Sequence, residues 1–79
     1  MNKTQIIERT KRTFKEYAVA TVFMYVEGVG KRAEVIKSSD MIIKYIDKNF
    51  NDSLVAYKDK NISLKSFEIR GWEKARVSA

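Results

Sequence analysis

The sequence predicts an α+β domain of two layers, a single helix packed on a small antiparallel sheet, in the chain order hairpin, helix, hairpin. Three observations predict it. The run YAVATVFMYV, Tyr17 to Val26, is rich in β-branched and aromatic residues and apolar at almost every position. The run SSDMIIKYIDKNF, Ser38 to Phe50, spaces its apolar residues at helical intervals. Turn formers flank that helix on both sides, Gly28 and Gly30 before it and Asp59 and Asn61 after it.

Taken in order, the first residues carry Ile6, Ile7 and Phe14 too sparsely for a helical stripe, and Thr4, Thr10 and Thr13 favour extended backbone. Residues 1–9 are therefore expected as a mobile N-terminal arm, and residues 10–79 as a single α+β domain. Alternation along Tyr17–Val26 puts Ala18, Ala20, Val22, Met24 and Val26 on one face and Tyr17, Val19, Thr21, Phe23 and Tyr25 on the other. EGVGKRAEV supplies a glycine turn and a return strand from Arg32 to Lys37, closing a first hairpin. Ser38, Ser39 and Asp40 suit a helix N-cap, and Met41, Ile42, Tyr45, Ile46 and Phe50 form the apolar stripe of a three-turn helix. Leu54–Tyr57 and Ile62–Ile69, joined by KDKN, read as a second hairpin. Its return strand changes phase between Leu64 and Phe67, which predicts a bulge at Lys65 and Ser66.

Composition narrows the chemistry. At 79 residues the chain is one domain, and a domain of this size buries only about 60% of its unfolded surface. It contains no Cys and no His, so thiolate or imidazole metal sites, disulfides and Cys/His or Ser/His catalysis are excluded by inventory. No two carboxylates are spaced to share one buried site, and Glu27 and Glu34 lie among Lys31, Arg32 and Lys37 as in a solvated charge mosaic. A non-enzymatic protein without metal or cofactor is the expectation. The N-terminal residues hold no apolar run of signal-peptide length and YAVATVFMYV is too short to span a bilayer, so the expected setting is cytoplasmic, away from membranes.

The formal net charge is +6. The excess sits near the two ends, at Lys11, Arg12 and Lys15 and at Arg70, Lys74 and Arg76, and on the first hairpin at Lys31, Arg32 and Lys37. That pattern attracts polyanions. GVGK at Gly28–Lys31 lacks the spacing of a Walker phosphate loop and reads as a turn presenting basic residues.

The aromatic face of YAVATVFMYV, with Tyr17, Phe23 and Tyr25, has three readings. It stacks bases while the surrounding cations hold phosphates. It pairs with a second copy or a protein partner. Or residues 1–14 fold back over it as core. Trp72, set between Arg70 and Lys74, either closes the core or stacks on a ligand.

VFMYVEGVGKRAEVIKSSDMIIKYIDKNF, residues 22–50, resembles the strand, glycine and helix segment of the Alba family of small basic nucleic-acid-binding proteins, with Gly30, Lys31, Arg32 and Ala33 in the places of that family's glycine, basic residue and Ala-Ile. The resemblance implies DNA or RNA binding, usually as a dimer, with Lys31 and Arg32 in the nucleic-acid role. The hairpin, helix, hairpin layout is also loosely similar to small early proteins of bacteriophages, which include DNA-binding proteins and inhibitors of host enzymes. The functional expectation is low-specificity binding of nucleic acid through phosphates. The alternative is a small protein-binding module or inhibitor that works through the aromatic face.

Overall fold

The computed structural model describes residues 1–75. The chain forms α1 (Lys3–Glu16), β1 (Tyr17–Glu27), β2 (Gly30–Ile36), α2 (Ser39–Asn49) and β3 (Ser63–Lys74). The three strands make one antiparallel sheet in the order β2-β1-β3. The fold is α+β, as expected, with two helices rather than one.

The segment expected as a mobile arm is the first half of α1. Asn2 caps it: its side-chain oxygen accepts the Gln5 N–H at 2.9 Å, and the Gln5 side chain accepts the Asn2 N–H at 2.9 Å, a complete capping box. The threonines that favour extended backbone are accommodated by donating their hydroxyls back along the helix, Thr10 to the Ile6 carbonyl at 2.8 Å and Thr13 to that of Arg9 at 3.0 Å. The buried stripe of α1 is Lys3, Ile6 and Thr10, with Phe14 packed at its margin.

Lys3 ties α1 to the end of α2. Its ammonium donates to the Phe50 carbonyl at 3.0 Å and pairs with Asp47 at 2.9 Å, meeting carbonyls left free where α2 ends. The bond to the Asp47 carboxylate raises its pKa above the ordinary lysine value of 10.5, against the opposing effect of desolvation. A raised amine pKa gives stability that is complete below about pH 10.5 and is lost as pH climbs through the folded-state value. The wild-type melting temperature should therefore fall more steeply than that of Lys3→Met above about pH 10.5, with parallel curves through neutral pH, as thermal melts across the alkaline range would read.

Helix α2 follows the expected span. Ser38 accepts the Asp40 N–H at 3.2 Å, and Ile42 and Ile46 are buried, with the Tyr45 ring edge-on to Phe50 at 6.0 Å. Both helices lie on the same side of the sheet, since Ile6, Ile42 and Ile46 share one buried cluster with Ala20, Val22, Met24 and Val26 of β1. The expected core face of β1 is thus correct, apart from Ala18, which is exposed between the irregular pairings of Tyr17 and Val19.

The second hairpin departs from expectation. Residues 54–57 make only the isolated bridges Phe50↔Ala56 and Val55↔Ser63, while β3 runs on to pair with β1 along most of its length. Asn51 organises the crossing: its side chain accepts the N–H groups of Ser53 and Val55, and Leu54 takes a φ of +64° that sends its side chain into the core. The expected bulge is present. Tyr25 pairs with Ser66 and Val26 with Leu64, so Lys65 is the extra residue that brings both Leu64 and Phe67 to the buried face.

At the far end of the sheet Gly71 lies opposite Ala20, and a side chain there would collide with the Tyr17 ring, which rests on it. Gly71→Ala should cost about 1–3 kcal/mol in urea unfolding. The penalty should shrink in a Tyr17→Ala background, giving a coupling energy of at least about 1 kcal/mol.

Candidate functional site

With both helices on one face, the other face of the sheet is left open among the described residues. Pairing defines its rows: Tyr25 lies between Lys31 and Ser66, Phe23 between Ala33 and Glu68, and Thr21 between Val35 and Arg70. Phe23 and Tyr25 are each 41% exposed and Val35 54%. Trp72, at the register shift where the pairing of β3 passes from Gly71 to Glu73, is 59% exposed, so it does not close the core. The third reading of the aromatic face fails as well, because residues 3–16 pack as a helix on the opposite side.

Tyr17 is not part of this open surface. Its ring is half-buried on Gly71, on the side that Ala20 occupies, and Lys74 sits over it at 4.9 Å.

Strand alternation separates Lys31 from Arg32. Lys31 pairs with Tyr25 on the open face, whereas Arg32 pairs with Met24 on the helix side, lies 5.2 Å from the Tyr45 ring and bonds Glu34 at 3.0 Å. The two residues expected to act together therefore point opposite ways, the unavoidable consequence of a two-residue period. Lys37 is exposed just beyond the end of β2.

The cations of β3 are largely neutralised. Arg70 bonds Glu68 at 2.9 Å and stands 6.0 Å from the Phe23 ring. Lys74 bonds Glu16 at 2.8 Å, and that carboxylate raises its pKa above the ordinary lysine value. Arg76 lies outside the described residues. Glu27 is paired with Lys65 at 3.4 Å, and with Glu34 on Arg32 the hairpin carboxylates form the solvated mosaic that their surroundings imply.

Helix α1 gathers what the hairpin does not. Arg9, Lys11, Arg12 and Lys15 are all exposed, and among the described residues none of them makes an ion pair. The nearby carboxylates on the helix are Glu8 and Glu16, and Glu16 is held by Lys74. Helical spacing places Lys11 and Lys15, four apart, on one flank and Arg9 and Arg12, three apart, on the other. The two arginines line a hollow of about 350 Å³ between α1 and Phe67. Arg9 was absent from the residues expected to bind, because it fell in the presumed arm; its three-residue spacing from Arg12 is the signal that a helical reading would have used.

No family model matches the chain, and no curated protein or solved structure matches it either. No helix among the described residues is long and apolar enough to cross a membrane.

Proposed function

We propose that this chain is a non-catalytic nucleic-acid-binding protein that holds the phosphate backbone of DNA or RNA against the outer face of α1. The observation that carries the reading is the set of four exposed cations, Arg9, Lys11, Arg12 and Lys15, without ion-pair partners among the described residues, on a chain whose β3 cations are already engaged. A helix offers guanidinium and ammonium groups at several heights and directions, which suits the spaced phosphates of a backbone better than a single small anion. Contacts of this kind go to phosphates rather than base edges, so affinity comes with little sequence preference.

The test is a salt titration of binding to labelled single- and double-stranded DNA and RNA. Three to four phosphate contacts give a slope of about −3 in log affinity against log salt, or a loss of roughly 60-fold between 50 and 200 mM. Binding that is absent at low salt, or flat as salt rises, removes the proposal.

A protein partner on the open sheet face is the second reading. The exposure of Phe23, Tyr25 and Val35 together on a surface with little net charge favours it.

A further inference from the structure

We propose that the open sheet face is the contact surface of a two-fold dimer, its occupant being a second copy of this chain. Three features of the face argue for that occupant.

The first is its charge pattern. The central strand β1 presents the uncharged Thr21, Phe23 and Tyr25, while the charges stand on the two flanking strands, Lys31 on β2 and Glu68 with Arg70 on β3. A two-fold axis parallel to β1 lays each β2 over the β3 of the other copy. Lys31 then meets the partner's β3 at the level of Ser66, one row, or about 7 Å along the strand, from Glu68. A lysine side chain spans that offset, and symmetry makes the contact twice. The same axis stacks Phe23 and Tyr25 of one copy over those of the other, in the aligned arrangement that two packed sheets adopt. An axis across the strands lays each strand over its own equivalent and brings Lys31 of β2 toward the Lys31 of the other copy. The axis parallel to β1 is the one that gives Lys31 an acidic neighbour, and it makes the contact in both copies, as an isologous interface requires.

The second feature is composition. Exposed aromatic and aliphatic groups at the centre, with charges confined to the margins, is the layout of a protein interface. A polyanion site would carry its cations unpaired, and Arg70 is already bonded to Glu68.

The third is size. Three strands and the rows from Tyr25 to Thr21 cover roughly 15 by 20 Å by strand spacing and rise. That is smaller than a stable interface and matches a weak dimer that dissociates across the micromolar to millimolar range.

The dimer leaves α1 of each copy on an outer surface, so the inference stands apart from the helix reading. The experiment is sedimentation equilibrium of the whole chain from roughly micromolar to millimolar concentration. Wild type should pass from monomer to dimer across that range. Phe23→Ser should raise the dissociation constant at least about tenfold, with circular dichroism and melting temperature showing that the fold is kept. Lys31→Glu and Glu68→Lys should each weaken the dimer about fivefold, and the double exchange K31E/E68K should return it to within about twofold of wild type. Reversing Lys11 and Lys15 should leave the dimer unchanged, which separates this inference from nucleic-acid binding at α1. A wild-type chain that stays monomeric throughout overturns the proposal. So does a dimer indifferent to Phe23→Ser, or a double exchange that fails to recover association.

Discussion

Replacing Ile6 by alanine should lower the unfolding free energy by about 2–5 kcal/mol. Ile6 is 1% exposed, and it brings α1 into a cluster with Ile42, Ile46, Met24 and Phe67. The loss combines the transfer of three methyl or methylene groups with a cavity at the meeting of two helices and a sheet, where relaxation of one element strains the others. A domain of 79 residues commonly has a total stability of about 4–12 kcal/mol. A single truncation so close to the N-terminus thus removes a large fraction of it. At about 4–8 °C per kcal/mol for a domain of this size, a change of about 3 kcal/mol lowers the melting temperature by about 12–24 °C. Ile7, which is half-buried on the flank of the same helix, should cost distinctly less on the same change. If residues 1–9 were a mobile arm, neither substitution would move the melting curve; thermal and urea unfolding of the two variants side by side decides between these outcomes.

That helix shows where sequence reasoning stopped. Its buried stripe is Lys3, Ile6 and Thr10, two polar residues and one apolar, so a search for apolar periodicity finds almost nothing. Both polar residues are buried only because tertiary structure and local geometry satisfy them: Lys3 by the carbonyls that end α2, Thr10 by the Ile6 carbonyl. Asn2 and Gln5 were the legible sign, a capping box that the threonines outweighed. By contrast α2, with Ser38 before it and Ile42 and Ile46 within, announced itself through both cap and stripe. The bulge at Lys65 was legible because a one-residue phase slip between Leu64 and Phe67 has no other reading in a strand. The partner of β3 was not legible: residues 54–57 are nearer in sequence, yet β1 offers a longer buried ladder in Val22, Met24 and Val26.

The same distinction governs the candidate site. Exposure of Phe23 and Tyr25 followed from alternation once Ala20, Val22, Met24 and Val26 were assigned to the core. Lys31 and Arg32 are adjacent in sequence but lie on opposite faces of the sheet, since neighbours along a strand face opposite ways. Lys11, Arg12 and Lys15 are legible as a basic cluster from composition alone, and the helix that carries them adds Arg9 to the set.

Charge reversal on α1 should produce the largest change in nucleic-acid affinity of any substitution set on this chain. The triple variant Lys11→Glu, Arg12→Glu, Lys15→Glu removes three exposed cations and introduces three anions beside Glu8. Each phosphate contact contributes about 0.9 to the salt slope, so the slope should fall from about −3 to near zero, and affinity at 50 mM salt should drop by at least about 100-fold. None of the three residues makes an ion pair among the described residues, and none belongs to the buried stripe, so the fold should be kept, with a melting temperature within a few degrees of wild type. Three comparisons make the result specific to the helix. Arg32→Glu changes charge on the hairpin but on the helix side of β2, where Arg32 already neutralises Glu34; it should weaken binding by no more than about threefold, through long-range attraction alone. Lys31→Glu, on the open face, should behave in the same way if the sheet binds a second copy rather than bases. Arg9→Gln, at the hollow it shares with Arg12, should lower the salt slope by about one. Should Lys31→Glu abolish binding while the triple variant binds as wild type does, the backbone lies across the sheet and Phe23 and Tyr25 are its stacking platform; loss in the triple variant alone, at unchanged stability, places it on α1.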